Sequence, residues 1–156
     1  MDPGRAIARS MMASMFIYGG LDAVQSPEKK VGKAAAVIDP VTETLDLPGD
    51  PLLWVQINGA VQVVAGTALA LGKFSRLAAF TLAASLIPTT LAGHPFWAEG
   101  DAAARKGQTI QFLKNVSMLG GLLLAVDDTG GRPSIPWRMH RAADHALERL
   151  PDLPHA

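Results

Sequence analysis

Residues 52–72 read LLWVQINGAVQVVAGTALALG and contain no Lys, Arg, Asp or Glu. A hydrocarbon core about 30 Å thick needs about 20 residues of helix rising 1.5 Å each, and this stretch supplies them. The stretch after Arg76, LAAFTLAASLIPTTLAGHPFWA over 77–98, is equally free of charge. Segments this long and apolar read as membrane spans rather than buried core helices. They also account for the composition: 18% of the 156 residues are charged, against about 25% in soluble domains, and the deficit is concentrated in these runs.

Working outward, two further spans are expected, at 6–24 and 108–126, with the central pair at 52–72 and 75–93. The chain therefore reads as an all-α polytopic membrane protein, a four-helix transmembrane bundle at 1–130 with a tail at 131–156. Asp50-Pro51 is an N-cap residue followed by proline at the first helical position, which suits a helix start. Pro88 removes one backbone hydrogen bond inside the third span. Gly66, Gly120 and Gly121 are expected to let neighbouring helices approach closely.

The N-terminus, the Lys73-Phe74 turn with Arg76, and the tail carry eight Lys and Arg residues, whereas the loops at 25–51 and 94–107 carry five, diluted by seven acids. Because cytoplasmic loops retain positive charge, both termini are expected in the cytoplasm and both long loops outside. Within the outer loop, Ser26-Pro27 opens a short amphipathic helix with Val31, Ala35 and Ile38 on one face, expected to stop at Pro40. In the tail, Met139, Ala143, Ala146, Leu147 and Leu150 form an apolar stripe opposite Arg138, Arg141 and Arg149. Such a helix lies on the inner leaflet or packs on a partner subunit.

Seven polar residues fall in the outer half of the spans: Asp22, Gln56, Asn58, His94, Gln111, Lys114 and Asn115. Charges inside a membrane pair or face a wet cavity, so Asp22 and Lys114, of opposite sign and similar depth, are expected to be partners. That pair serves either assembly or a ligand. Asn58, Gln62 and the glycines suit interhelical glue. The candidate ligand-binding set is Asp22, Asn58, His94, Trp97, Gln111, Lys114 and Asn115, with no metal ligands among them. Equal numbers of basic and acidic residues exclude a global field for nucleic acid. The absence of cysteine removes disulfides, thiol relays, iron–sulfur clusters and cysteine nucleophiles. A bis-histidine haem needs two facing ligands, and His94 is the single histidine near a span. No phosphate-binding loop or nucleophile triad is present, so no catalytic set is assigned.

The run from Gly59 to Val126 resembles the DoxX family of small four-span bacterial membrane proteins. The residues that carry the resemblance are Ala70-Leu71-Gly72 and Arg76-Leu77-Ala78-Ala79, then His94-Pro95-Phe96-Trp97 closing the third span. Gln111-Phe112-Leu113-Lys114-Asn115 followed by Leu119-Gly120-Gly121-Leu122-Leu123-Leu124 completes the set. The resemblance implies a four-helix membrane bundle associated with quinone-linked redox systems. It makes the expected role an accessory or quinone/small-molecule-binding subunit of a membrane oxidoreductase assembly, with lipid and other subunits as partners. It implies no intrinsic cofactor, with quinone as the candidate bound group. The alternative is a non-enzymatic membrane scaffold or lipid-interacting protein that recruits partners.

Overall fold

A computed structural model describes residues 3–129 together with 137, 139–142 and 144. The chain runs through α1 (Pro3–Gln25), α2 (Glu28–Leu45), α3 (Pro51–Ala70), α4 (Ser75–Gly93), a 3-10 turn (Phe96–Ala98) and α5 (Ala102–Asp127). No strand occurs among the described residues. The apolar tail stripe lies outside them except for Met139, which is exposed; nearby, the Arg141 guanidinium sits 5.1 Å from the Trp137 ring centre.

Side-chain pairs show that neighbouring long helices run antiparallel. Gly20 of α1 meets Gly59 of α3, and Ile17 meets Gly66. Asn58 of α3 reaches Thr89 of α4, Thr90 of α4 reaches Asn115 of α5, and Arg5 of α1 pairs with Asp128 just beyond α5 at 3.2 Å. The order is therefore α1–α3–α4–α5, with α2 folded against α3 and α4. The end that carries α2 and the α4–α5 connection is called the loop end, and the end with the α3–α4 turn the turn end. The apolar core, built on Ala13, Phe16, Leu69, Leu82, Leu86 and Leu122, occupies the part of the bundle nearer the turn end.

Local chemistry explains the boundaries. Asp50 caps α3 as expected, its carboxylate accepting from Leu52 N at 3.0 Å ahead of Pro51. The α3–α4 turn is tight: Gly72 takes φ 68, a left-handed conformation that costs glycine little, while Phe74 takes φ 51 and stands out from the surface. Asp101 caps α5 through Ala104 N at 2.8 Å and starts it six residues before the expected span, so Arg105 and Lys106 lie in its first turns. At the turn end Arg9 donates to Ser75 Oγ at 3.0 Å and Arg76 to the Val126 carbonyl at 2.6 Å, tying α1, α4 and α5 together.

Two expectations about helix breaking part company. Pro88 sits inside α4 and the helix continues through it, with the Ala84 carbonyl the one that loses its backbone donor; in the following turn Thr89 and Thr90 donate their hydroxyls to the carbonyls of Ser85 and Leu86. Pro40, expected to stop α2, also lies within its helix, which reaches Leu45. There Thr42, buried against the bundle, bonds the Ile38 and Asp39 carbonyls, and Thr44 bonds that of Pro40. The donor that Pro40 lacks would serve the Ala36 carbonyl, which none of these hydroxyls reaches, so the packing of this turn around buried Thr42 is what carries the helix past the proline. The apolar face of α2 is as expected, with Val31, Ala35 and Ile38 half-buried.

Three helical segments are long and apolar enough to cross a membrane: Pro51–Ala70, Ser75–Ala98 and Ala102–Asp127. α1 is 23 residues long but carries Arg5, Arg9 and Asp22 and falls outside that set. Of the three glycines expected at helix contacts, Gly66 is in close contact and Gly121 meets the flexible end of Met12. Gly120 has open space beside it. α5 turns its opposite side to α4, which leaves that position on the surface.

Candidate functional site

The polar residues of the spans lie toward the loop end, but they form three separate groups. The first joins α3 to α4. Gln62 is buried and donates through Nε2 to Ser85 Oγ at 2.9 Å and Thr89 Oγ1 at 3.3 Å. Ser85 donates to Asn58 Oδ1 at 2.7 Å, and Asn58 Nδ2 donates to Thr89 at 3.2 Å. Every member has a partner, which is the condition for keeping amides and hydroxyls inside an apolar bundle. Asn58 and Gln62 thus serve as interhelical fasteners.

The second group joins α4 to α5. One face of α4 carries Thr90 and, one turn later, His94. Thr90 is buried and accepts from Asn115 Nδ2 at 3.0 Å. His94 Nδ1 lies 2.9 Å from Gln108 Oε1. A carboxamide oxygen only accepts, so with this amide orientation the imidazole proton sits on Nδ1, and in the neutral ring Nε2 remains an acceptor. Beside this pair, three aromatic rings gather edge to face: Phe96 and Trp97 at 5.1 Å, Phe96 and Phe112 at 5.2 Å, Trp97 and Phe112 at 6.1 Å. Below it, a cleft of about 100 Å³ opens on the bundle surface between α4 and α5, with Phe112 and Leu91 at its upper edge, Leu86 and Leu119 lower down, and Thr90 and Asn115 in its wall. Phe112 belongs both to the ring cluster and to the cleft, so the two are continuous.

The third group overturns the expected charge pair. Asp22, at the end of α1, pairs through Oδ2 with Lys30 of α2, both side chains part-exposed. Lys114 is exposed on α5 and makes no ion pair or hydrogen bond among the described residues. The two charges share a depth, but α1 lays its loop-end half against α3 through Gly20 and Gly59, away from α5, while α2 supplies a nearer cation. Gln111 is also exposed, because the α4-facing side of α5 is given to Gln108, Phe112 and Asn115. Of the candidate set, His94, Trp97 and Asn115 come together. Asn58 belongs to the α3–α4 group, and Asp22, Gln111 and Lys114 stand apart.

Sequence reasoning passed over Ser85, Thr89, Thr90, Gln108 and the rings of Phe96 and Phe112. A signal was present: Ser85 and Thr89 lie four residues apart on one face of a charge-free run, where hydroxyls need partners on a neighbouring helix.

Comparison with known proteins returns one family. The DoxX family model matches residues 4–95, which covers α1 to α4 and ends after His94-Pro95, short of α5 and its Gln111–Asn115 stretch. No curated protein and no solved structure matches the chain.

Proposed function

The chain belongs to the DoxX family of membrane proteins, and from that premise we propose that it is a quinone- or small-molecule-binding accessory subunit of a membrane oxidoreductase assembly. The observation that carries this reading is the continuity of the Phe96–Trp97–Phe112 ring cluster, the His94–Gln108 pair and the apolar cleft between α4 and α5. A ligand with a flat polar head and an apolar tail needs these in that order along the membrane normal: ring edges for the head, one hydrogen-bonding group beside it, and a cleft for the tail. The acceptor presented here fits the reduced, hydroxyl-bearing form of a quinone, since His94 Nε2 accepts an O–H while Gln108 holds the proton on Nδ1. Trp97 and Phe112 orient the head, and Leu86, Leu91 and Leu119 exclude water from the tail. A bound quinone supplies the two-electron chemistry; with no cysteine in the chain, the electrons pass to or from a partner subunit.

In this reading α1 is the fourth span. It lies along α3 through Gly20, Ile17 and Ala13, and its charges sit near its two ends, where they reach the interfaces. Both termini face the cytoplasm and the ring cluster faces outward, in keeping with the excess of Lys and Arg at the turn end.

The test uses the chain in lipid nanodiscs titrated with a short-tailed ubiquinol, read by quenching of tryptophan emission. Saturable quenching is expected, weakened about tenfold by His94→Ala and reduced in amplitude by Trp97→Phe. Linear, unsaturable quenching unaffected by His94→Ala would refute the site. The second reading, a scaffold that recruits partners without a ligand, is favoured by the long unpartnered faces of α1 and α5, and it predicts that linear outcome.

A further inference from the structure

The outward face of α1 carries Ile7, Met11, Met15, Tyr18 and Asp22 at helical spacing, with Met11 71% and Tyr18 76% exposed. The outward face of α5 carries Ile110, Lys114, Ser117, Gly120 and Leu124. Lipid accounts for exposed Met, Ile and Leu. It does not account for Lys114, a charge in the middle of a 26-residue apolar helix with no partner among the described residues, nor for the hollow left by Ser117 and Gly120 beside it. The α1 face offers bulk and an acid, whereas the α5 face offers a hollow and a base.

The geometry points to a head-to-tail assembly of this chain in the membrane, in which α1 of one copy packs on α5 of the next and Asp22 meets Lys114 across the contact. Depth supports it. Within one chain Met12 lies opposite Gly121 and Arg5 opposite Asp128, so Asp22 is level with Gln111, three residues or about 4.5 Å along the axis from Lys114 and within reach of a lysine stem. By the same register Tyr18 is level with Asn115, and Met11 and Met15 flank the level of Gly120. A copy rotated about the membrane normal keeps these levels. Asp22 Oδ1 is not used by Lys30, which engages Oδ2, so the carboxylate can bridge two lysines.

Symmetry selects this contact over the alternatives. A two-fold pairing of α5 with α5 sets Lys114 against Lys114, and α1 with α1 sets Asp22 against Asp22. α1 against α5 is the arrangement of these two faces that joins opposite charges and seats large side chains in a hollow. Such a contact is heterologous, and with all copies upright in one membrane it closes into a ring where the rotation between neighbours divides a full turn.

The absence of native cysteine makes the test direct. Full-length chains bearing Tyr18→Cys and Ser117→Cys, with different affinity tags, are co-expressed and oxidised in native membranes. Phe80→Cys, exposed on α4, replaces Ser117→Cys as the collision control. A disulfide between the two tagged chains well above that control is expected, with little homodimer from either variant alone. Lys114→Glu added to the Ser117→Cys chain should lower the yield at least tenfold, and Lys114→Arg should retain it. Lys114 makes no polar contact among the described residues of its own chain, so recovery of each variant as intact monomer after solubilisation separates a lost contact from misfolding. A disulfide homodimer of the Ser117→Cys chain as main product, a yield no higher than the control, or indifference to Lys114→Glu overturns the proposal.

Discussion

Replacing Gly20 with alanine puts a methyl group where α1 and α3 touch. A Cβ there lies 2.6 Å from the Gly59 carbonyl oxygen, 3.0 Å from Val63 Cγ2 and 3.1 Å from Gln62 Cβ. The nearest of these atoms is backbone and cannot rotate away, so the helices must separate along a seam that also includes Gly59, whose own Cβ would meet the Gly20 carbonyl at 2.8 Å. Overpacking of this kind costs about 1–3 kcal/mol. Alanine returns up to about 1 kcal/mol through its better helix propensity. The neighbouring Gly19 has nothing within 4 Å, so Gly19→Ala receives the propensity gain without the clash. The two variants, one residue apart in one helix, are therefore expected to differ by about 1–3 kcal/mol, which at roughly 2–4 °C per kcal/mol for a chain of this size is a gap of several degrees. Thermal unfolding followed by circular dichroism, both variants in the same nanodisc lipid, measures it. Gly20→Ala as stable as Gly19→Ala would show that α1 does not cross α3 at this point, and the antiparallel placement of α1 would fail with it.

Gln62→Leu removes two interhelical donors and should cost about 0.6–1.7 kcal/mol of bundle stability, with a smaller effect in a Ser85→Ala background because the two share a bond. Full additivity of that pair would disprove the coupling. Asp22→Asn and Lys114→Met should act independently on the stability of solubilised monomer, since no contact joins them within a chain; a compensating double mutant would restore the intramolecular pair. With single cysteines at positions 10 and 99, an impermeant thiol reagent added to intact cells should label 99 and spare 10, and the reverse pattern would invert the topology.

Much of the architecture was legible along the chain because it depends on segment properties. Charge-free runs of helical length fix which segments enter lipid, and the cap at Asp50 and the apolar face of α2 follow from residue type and spacing. Pro40 does not stop α2 because a proline costs a helix one donor, which packing of the following turn around buried Thr42 outweighs, and that packing lies outside a one-dimensional pattern. The candidate site was legible in its members and not in its grouping. Depth can be counted along each helix, and by depth Asp22, Asn58, His94 and Lys114 all belong together.

What the sequence determined by itself is therefore the helical membrane class, the polar band toward one end, and the cysteine-free chemistry. The azimuth of each helix was decided by tertiary structure alone. Where a helix turns its faces depends on contacts with its neighbours: Gly20 against Gly59 draws α1 to α3, and Thr90 with Asn115 turns α5 so that Phe112 joins the ring cluster while Lys114 points away. In a helix with almost no polar asymmetry, as in α4 and α5, hydropathy carries no record of that rotation. Small residues and single hydrogen bonds set it, and their partners are far away in the chain.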